Sequence, residues 1–363
     1  MDIRLENVLK YEQPTKYIVK SENYSDDFAL PVLTAGKSFV LGYTDETEGV
    51  CKASENPVII FDDFTADCKY VNFDFKVKSS AMKILHKANA EDNLKYYFYA
   101  MQAIDYTPFS HKRVWISEYS KFKIENRSVA EQNNIVKDLD TVATAIDNAK
   151  QRLNALDELV KSRFIEMFGD PITNSKNLPE LTLPELGEFG RGVSKHRPRN
   201  APELLGGKYP LIQTGEVANA ELYINGYTNT YSELGYKQSK MWKAGTLCIT
   251  IAANIAKTGI LSFDACFPDS VVGFHANEKT NNIFIHFWFT FFQEILEAQA
   301  PASAQKNINL RILSELKVIV PPIELQNEFA DFVKLTDKSK FIVQKQIEDL
   351  QELLDSKMDE YFG

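Results

Sequence analysis

Residues 191–200 carry the clearest chemical signal in the sequence. This segment contains four basic residues and no acidic one, and its glycine and proline predict a loop. Lysine and arginine side chains can neutralise phosphates, while arginine and asparagine side chains can also read the edges of bases. The segment therefore predicts a nucleic-acid contact, although a solvated basic loop without a ligand has the same composition.

Further loops share this polar and partly basic character. Residues 252–259 directly follow a predicted strand, and their small side chains would let a ligand approach the backbone closely. Residues 111–113 and 305–307 occupy matching places in the two halves of the chain, just before a predicted last strand. Two basic loops at equivalent places indicate a repeated binding function more strongly than one loop does.

Residue patterns for catalysis are incomplete. A phosphate-binding loop around Gly206-Gly207-Lys208 fails because Pro202 stands at its first glycine and Tyr209 replaces the required Ser or Thr. Asp269 and the run Glu315-Leu316-Lys317 could in principle hold a nuclease metal, but their wide separation favours structural roles. No glycine-rich loop follows a strand to bind a nucleotide or S-adenosylmethionine. The sequence therefore predicts a non-catalytic chain.

Histidine and cysteine spacing predicts no metal site. The five histidines form no HxH or HxxxH pair, and His286 lies in an aromatic segment, where a core histidine is expected. The four cysteines form no CxxC pair, so we expect reduced thiols. No cofactor and no metal are expected.

Length and composition predict a folded protein of two or three domains. The chain has 363 residues, of which 44% are hydrophobic and 25% are charged. No apolar stretch reaches the length of a membrane span and no signal peptide is evident, so we expect a cytoplasmic protein without a membrane partner. The net charge of −9 is uneven: residues 173–322 have one more basic than acidic residue, whereas residues 323–363 have five more acidic than basic residues. A locally basic face is therefore compatible with the acidic total.

The elements that must position these loops are repeated along the chain. Short matches share a constant offset of 194 positions over more than fifty residues, starting from Lys112, which matches Lys306. They pair Gln132-Asn133 with Gln326-Asn327, Ser162-Arg163 with Ser356-Lys357, Glu166 with Glu360, and Phe168-Gly169 with Phe362-Gly363. The order of elements is therefore globule, helix, globule, helix.

Each repeat ends in a long predicted helix with a heptad seam of apolar residues. About 40 residues at 1.5 Å each would form a rod of ~60 Å. The first seam is Ile135, Leu139, Val142, Ile146, Ala149, Leu153, Leu156, Val160, Phe164 and Met167. The second is Leu325, Phe329, Val333, Val343, Ile347, Leu350, Leu354, Met358 and Tyr361, interrupted by Thr336 and Lys340. Equal lengths and seams favour an antiparallel coiled coil over two unrelated surface helices.

The sequence pattern of each globule predicts a mixture of strands and helices. Short β-branched runs at residues 58–61, 246–251 and 317–320 are typical of buried strands, while residues 94–103 and 283–296 are long enough for packed helices. The expected fold class is α+β: two pseudo-symmetric mixed globules, residues 1–127 and 173–322, separated by two long antiparallel coiled-coil helices, residues 128–172 and 323–363.

This arrangement resembles the specificity subunit of type I restriction-modification systems. The resemblance covers the whole chain. It is strongest in the run Ile319-Val320-Pro321-Pro322-Ile323-Glu324-Leu325-Gln326 and in the tail Met358-Asp359-Glu360-Tyr361-Phe362-Gly363. Residues 206–215 and Gly245-Thr246-Leu247 are also similar to the family.

The resemblance implies a protein that reads double-stranded DNA without catalysis of its own. In that family each globule is a target recognition domain for one half of a split site, and the helix pair is a spacer. Its partners are two methyltransferase subunits, which modify adenine with S-adenosylmethionine, and ATP-driven restriction subunits. We expect the acidic helices to dock the methyltransferase subunits, near Phe168 and Phe362.

The resemblance and the loops together give a set of expected DNA-binding residues. In the second globule they are Lys195, His196, Arg197, Arg199, Lys208, Gln213, Thr214, Asn254, Lys257, Thr258, Lys306 and Asn307. In the first globule they are Lys37, Lys69, Lys112 and Arg113.

The first globule differs from the second at one place near the expected DNA-binding surface. Asp62 and Asp63 stand there where the second globule has Ile251 and Ala252. An acid could accept a hydrogen bond from cytosine N4, so a different half-site would account for the pair. The alternative function is a coiled-coil protein-interaction adaptor without DNA specificity, which explains the helices but leaves the basic globules without a purpose.

Overall fold

The computed structural model describes residues 2–35, 38–108, 113–252, 255–299 and 308–363. The chain divides into two units, one formed by Met1–Lys150 with Lys345–Gly363 and the other by Gln151–Gln344. They are called unit 1 and unit 2 below. Each unit contains one globule and part of both long helices.

Unit 1 is built on an antiparallel four-stranded sheet. Its strands are β1 (Asp2–Arg4), β2 (Leu9–Glu12), β3 (Leu30–Leu33), β4 (Val40–Thr44), β5 (Val58–Asp62), β6 (Cys68–Val71), β7 (Lys76–Val77), β8 (Met82–Lys87) and β9 (Lys123–Glu125). Its helices are α1 (Leu5–Val8), α2 (Leu94–Gln102), α3 (Val114–Ser117) and the first part of α4 (Val129–Phe168), with 3-10 turns at Pro14–Tyr17 and Tyr119–Lys121. The main sheet has the order β2-β8-β5-β6, and a second sheet has the order β4-β3-β7.

Strand β5 shows why the unit folds around this sheet. All five of its residues are buried, and successive side chains enter opposite cores. Ile59 and Phe61 pack with Trp115 and the helices, whereas Val58 and Ile60 belong to a separate apolar cluster on the other face. The β-branched run predicted as a strand is therefore confirmed.

Unit 2 repeats this plan with additions. Its strands are β10 (Glu180–Thr182), β11 (Gly187–Arg191), β12 (Leu205–Leu211), β13 (Tyr223–Ile224), β14 (Asn229–Tyr231), β15 (Met241–Trp242), β16 (Leu247–Thr250), β17 (Thr258–Leu261), β18 (Ala265–Cys266), β19 (Val271–Ala276) and β20 (Lys317–Ile319). Its helices are α5 (Leu183–Leu186), α6 (Thr214–Ala218), α7 (Glu233–Lys237), α8 (Asn282–Gln299), α9 (Leu310–Glu315) and the first part of α10 (Ile323–Phe362), with a 3-10 turn at Pro202–Leu204. The main sheet order is β11-β19-β16-β17-β13, and a second sheet has the order β14-β12-β18-β15.

The two larger sheets of unit 1 have counterparts in unit 2, where each sheet has one strand more. The order β2-β8-β5-β6 matches β11-β19-β16-β17, and in both units these pairs are antiparallel. In the second sheets, β3 pairs in parallel with β7 as β12 does with β18. The predicted repeat thus extends from the helices to the sheets.

The long helices lie antiparallel within each unit. In unit 2, Asp157 of α4 contacts Lys340 of α10 at 2.6 Å, and Arg163 contacts Glu328 at 3.0 Å. As the residue number rises along α4 from 157 to 163, the number of the contacted residue in α10 falls from 340 to 328, so the two helices run antiparallel. In unit 1 the Tyr361 hydroxyl donates to Asp138 at 2.8 Å. The α4 seam is buried from Ile135 to Ala149 and again at Val160 and Phe164. In α10, however, Leu325 is exposed and Gln326 takes the buried position, so the predicted start of that seam was wrong by one residue.

A buried glutamine ties the start of each long helix to its globule. In unit 1 the side-chain oxygen of Gln132 accepts from the backbone N–H of Asn93 at 2.8 Å. In unit 2 the side-chain oxygen of Gln326 accepts from the backbone N–H of Asn281 at 3.2 Å. Each amide nitrogen also donates to the backbone carbonyl five residues upstream. The Gln-Asn repeat therefore marks equivalent hydrogen-bonding positions.

The Phe-Gly repeat marks equivalent aromatic contacts. The ring of Phe362 packs on Tyr96 in unit 1 with 5.5 Å between centroids, and Phe168 packs on Phe284 in unit 2 at 5.0 Å. Phe168 is 1% exposed. It is therefore a core residue, while Ile165 and Ile172 nearby are exposed, so docking near Phe168 stays a prediction.

Two general sequence expectations can be compared with the described residues. All four cysteines are free, and three of them are buried. Within the ranges given above, the structure contains no helix both long and apolar enough to cross a membrane.

Candidate nucleic-acid interface

Residues 191–200 follow β11 and are held in place by one side chain. The Gln238 side-chain oxygen accepts the backbone N–H groups of Lys195, at 2.5 Å, and of His196, at 3.0 Å. The neighbouring Ser239 hydroxyl donates to the backbone carbonyl of Val193 at 2.7 Å. With the backbone fixed in this way, the side chain of Lys195 is left exposed to solvent.

The two arginines of this loop share an acidic partner. One Arg197 nitrogen lies 3.5 Å from a carboxylate oxygen of Asp269, and Arg199 contacts the other oxygen of the same carboxylate. Arg197 also donates to the backbone carbonyls of Ser194 and His196. Both guanidinium groups are exposed, so each ion pair contributes little stability and can exchange for a phosphate. The loop sequence contains no acidic residue, but the fold places Asp269 in contact with its arginines.

Two further lysines of unit 2 belong to this set of basic residues. Lys240 directly follows Gln238 and Ser239, which hold the loop, and Lys208 lies on strand β12. Lys240 lies 3.7 Å from the centre of the Trp242 ring and pairs with Glu188 at 2.7 Å. Lys208, on β12, pairs with Glu233 at 3.3 Å, and this hydrogen-bonded carboxylate raises the pKa of the lysine. Lys208 was predicted from the sequence and Lys240 was not, although lysines recur every three residues at positions 237, 240 and 243.

A stacked pair of tyrosines accompanies Lys208. The rings of Tyr209 and Tyr236 lie 4.1 Å apart and nearly parallel. The Tyr209 hydroxyl donates to Glu233 at 2.8 Å, which joins β12 to α7. The stacking of these rings was not predicted, because the two tyrosines lie 27 positions apart in the sequence.

Gln213 and Thr214 form the start of α6. The backbone N–H of Gln213 donates to Glu216 at 3.1 Å, while the Thr228 hydroxyl donates to the other oxygen of that carboxylate at 2.5 Å. Gln213 is exposed and Thr214 is half-buried. Both can reach a ligand at the surface, with Glu216 fixing the turn behind them.

The loop between β16 and β17 places its predicted residues differently. The side chain of Lys257 is exposed, in agreement with a contact role. Thr258 is only 6% exposed, and its hydroxyl lies 2.9 Å from Nδ1 of the buried His286. The prediction of a DNA contact for Thr258 was therefore wrong, because a side chain enclosed in the core cannot touch DNA. His286 is the core histidine that the sequence predicted.

Lys69 and Arg113 are the predicted contact residues of the first globule that the structure describes. Lys69 on β6 is exposed and lies over the Phe39 ring at 5.6 Å. Arg113 is also exposed and has a left-handed backbone conformation at the start of α3. Other lysines of this unit pair with acids, such as Lys52 with Asp74 at 2.7 Å.

The acidic pair of the first globule is structural. Asp62 is 5% exposed and accepts from the Phe64 backbone N–H and the Thr65 hydroxyl. Asp63 is 7% exposed, accepts from the Trp115 backbone N–H at 3.0 Å and pairs with the buried Lys83 at 2.7 Å. The idea that these acids read cytosine was wrong, since both carboxylates are already enclosed and engaged.

Five predicted contact residues lie outside the described residues. They are Lys37, Lys112, Asn254, Lys306 and Asn307.

The described part of the chain contains no cluster of three or more histidine, cysteine, aspartate or glutamate side chains that could hold a metal ion. Asp269 pairs with the two loop arginines, and Glu315 pairs with Arg311 at 2.7 Å. Both acids are thus engaged by arginines, and their structural role stays a prediction.

A protein-family model and a bacterial protein of similar sequence both match this chain. The type I restriction modification DNA specificity domain matches residues 180–352. The Escherichia coli type I restriction enzyme EcoR124I/EcoR124II specificity subunit is 31% identical over 389 aligned positions, covering 98% of this chain and 91% of the E. coli subunit.

Solved structures share the fold. The crystal structure of the type I restriction-modification system S subunit from M. genitalium matches with a TM-score of 0.59 and 14% identity, covering 100% of this chain and 96% of that one. A chain from a study of complex assembly and conformational transition of the type I R-M system matches with a TM-score of 0.53 and 13% identity, covering 100% and 97% of the two chains. Because the chain is 31% identical to one such subunit over nearly the full length of both, it belongs to the family of type I restriction-modification specificity subunits.

Proposed function

We propose that this chain recognises a split double-stranded DNA site, with residues 1–127 and 173–322 each acting as a target recognition domain for one half. The family relationship over 98% of the chain carries the proposal. The matching strand order of the two units supports it, since two similar globules suit two half-sites. A coiled-coil adaptor without DNA specificity is not favoured, because it gives the family-typical globules no role.

We assign the contacts of the second half-site first to the exposed loop residues Lys195, Arg197 and Arg199. His196, Lys208, Gln213, Thr214 and Lys257 extend this surface, and Asn254, Lys306 and Asn307 remain part of the proposal. Lys37, Lys69, Lys112 and Arg113 are the corresponding proposal for the first half-site. Asp269 holds the loop arginines in the free protein, and DNA phosphates compete with it on binding.

The test is a triple variant, Lys195→Ala with Arg197→Ala and Arg199→Ala, compared with Arg311→Ala. Arg311 is an exposed arginine of the same unit that pairs only with Glu315 in a helix. The cognate site is first defined by sequencing methylated adenines in cells that carry the complete system. Affinity of the assembled complex is then measured over a range of salt concentrations.

Each type of contact has its own signature. Loss of a phosphate contact weakens binding to all sequences alike and lowers the salt slope by ~0.9 per contact, whereas loss of a base contact costs ~1–3 kcal/mol and relaxes one position. The Arg311→Ala variant should behave as wild type. Unchanged affinity and salt slope in the triple variant would refute the assignment of this loop.

We propose that the long helices dock two methyltransferase subunits, one per repeat. Family membership implies a non-catalytic subunit, so adenine methylation and ATP-dependent cleavage would come from the methyltransferase and restriction subunits. The acidic surplus of the helical segments supports a protein partner, because phosphates would be repelled there.

Mass measurement of the saturated assembly tests this stoichiometry. We expect two methyltransferase subunits per chain, and a saturated complex with one would contradict the proposal. Deleting residues 345–363 is not a suitable test, since Leu354, Met358, Tyr361 and Phe362 pack against the core of unit 1.

A further inference from the structure

Unit 2 contains a cavity of about 440 Å³ that the DNA-reading role does not use. It is bounded by α4, α8, α10 and the short segment before β13. Its apolar lining includes Leu222, Phe287 and Val333. Most of its other lining residues are polar or charged, so the cavity joins an apolar patch to a charged rim. A cavity of this size with both kinds of surface can hold a small organic group that has an apolar and a charged part.

The charged lining of the cavity has an excess of carboxylates. Lys340 contacts Asp157 at 2.6 Å and Glu221 at 3.4 Å, so one ammonium group serves two acids. Asp337, one helical turn before Lys340, also lines the cavity, and no basic group of the described residues lies within ion-pair distance of it. With the pair Glu158 and Lys161 included, four carboxylates face two lysines.

No other group in the lining supplies the missing positive charge. His286 lines the cavity, but burial lowers its pKa to about 4, so the ring is neutral near pH 7. Its Nδ1 is engaged with the Thr258 hydroxyl. Burial also raises the pKa of Asp337, and the charge of Lys340, which is not in ion-pair contact with Asp337, offsets this only in part.

A second cavity of about 350 Å³ adjoins the first and shares Asp337 and Lys340 with it. Phe341 lines this second cavity and is 68% exposed. Asp337 therefore lines two neighbouring cavities, and the second of them is also lined by a large aromatic side chain that is mostly exposed.

The repeat shows that these charges belong to one copy only. At the offset of 194, Thr336, Asp337 and Lys340 correspond to Val142, Ala143 and Ile146. Val142 and Ile146 are buried apolar residues in unit 1. The interruption of the second heptad seam is thus a local replacement of packing by an acidic cavity, and a ligand that needs Asp337 can bind once per chain.

We propose that this cavity of unit 2 binds an alkylammonium or alkylguanidinium group, with Asp337 as the ionic partner of the cation. The methylene chain of the ligand packs on Leu222, Phe287 and Val333, and the charged end meets the unpaired carboxylate. The group can come from a free amine or from a lysine or arginine side chain of a partner subunit. This site is independent of the DNA-contact residues proposed above.

The experiment compares wild type, Asp337→Asn and the control Asp331→Asn in the full-length chain. Asp331 lies on the same helix but is exposed and pairs with Lys334. Both variants remove one negative charge, and Asp337→Asn breaks no ion pair, so circular dichroism should show wild-type folding. The first arm titrates agmatine and spermidine by calorimetry. The second arm measures assembly with methyltransferase subunits over a range of salt concentrations.

A free amine as the source predicts binding of agmatine or spermidine at one site per chain, weakened about tenfold or more by Asp337→Asn and unchanged by Asp331→Asn. A partner side chain as the source predicts a comparable loss of assembly in Asp337→Asn alone. The proposal is overturned if neither arm responds to Asp337→Asn, if both variants weaken binding equally, or if two amines bind per chain. DNA affinity of the complex tests the recognition proposal separately.

Discussion

Gln326 allows a quantitative test of how α10 is attached to the second globule. This side chain is completely buried and makes four hydrogen bonds. It accepts from the Thr280 hydroxyl and the Asn281 backbone N–H, and it donates to the carbonyls of Lys279 and Pro321. Gln326→Ala would leave all four groups without their partner in the protein interior.

The expected cost follows from the number of groups left unpaired. An unsatisfied buried polar group costs ~1–3 kcal/mol, and water entering the vacated space would satisfy some of the four. We therefore expect Gln326→Ala to destabilise unit 2 by ~3–5 kcal/mol. Gln132→Ala in unit 1 removes two hydrogen bonds and should cost ~2–3 kcal/mol. Asn327→Ala removes one exposed hydrogen bond and should stay within ~0.5 kcal/mol.

Hydrogen exchange measured by mass spectrometry is the appropriate assay, because a chain with two units does not unfold in one step. Peptides covering the start of α8 should exchange faster in Gln326→Ala, while peptides of unit 1 should not change. Gln132→Ala should show the opposite pattern at the start of α2. If Gln326→Ala and Asn327→Ala had the same effect, the glutamine would not be the attachment that its contacts indicate.

Three further predictions concern charge, pH and helix length. Lys83→Met should destabilise unit 1 by ~3–5 kcal/mol because it leaves Asp63 buried and unpaired, whereas Lys52→Met, at an exposed pair, should cost under ~1 kcal/mol in urea unfolding. The folded pKa of His286, about 4, lies below its unfolded value, so the unfolded state binds more protons between pH 6.5 and 4. Unit 2 should therefore lose up to ~3 kcal/mol of stability as the pH falls through that window. His286→Asn should abolish this part of the pH dependence, and a variant with the wild-type pH profile would contradict the prediction. One heptad inserted into both long helices, near Ala149 and Val343, adds ~10 Å and should lengthen the spacer of the methylated site by about three base pairs, while an unchanged spacer with intact binding would show that helix length does not set it.

The sequence predicted what repetition and local pattern determine. The constant offset of 194 positions located Gln132 and Gln326, and the structure gives both two equivalent hydrogen bonds, to which Gln326 adds two more. The predicted helix of residues 323–363 agrees with α10, which begins at Ile323. These features are local or duplicated, so one sequence contains enough information to find them.

The errors arose where burial depends on distant partners. Asp63 looked available to DNA because its two partners, Lys83 and Trp115, are 20 and 52 positions away. Thr258 looked like a loop residue, yet it enters the core because His286 on α8 needs a hydrogen-bond partner. Local composition identifies polar residues but does not show whether the fold encloses them.

The division of the chain between the units has a consequence for synthesis on the ribosome. Unit 2 is one continuous stretch, Gln151–Gln344, whereas unit 1 needs Lys345–Gly363 to cover the apolar face around Ile135 and Leu139. About 200 residues must be translated between the two parts of unit 1, which takes ~10–40 s at ~5–20 residues per second. The globule that is made first is therefore completed last. A chain interrupted before Leu354 would carry a finished second globule beside an uncovered hydrophobic face, which chaperones or proteases could distinguish from the full-length product.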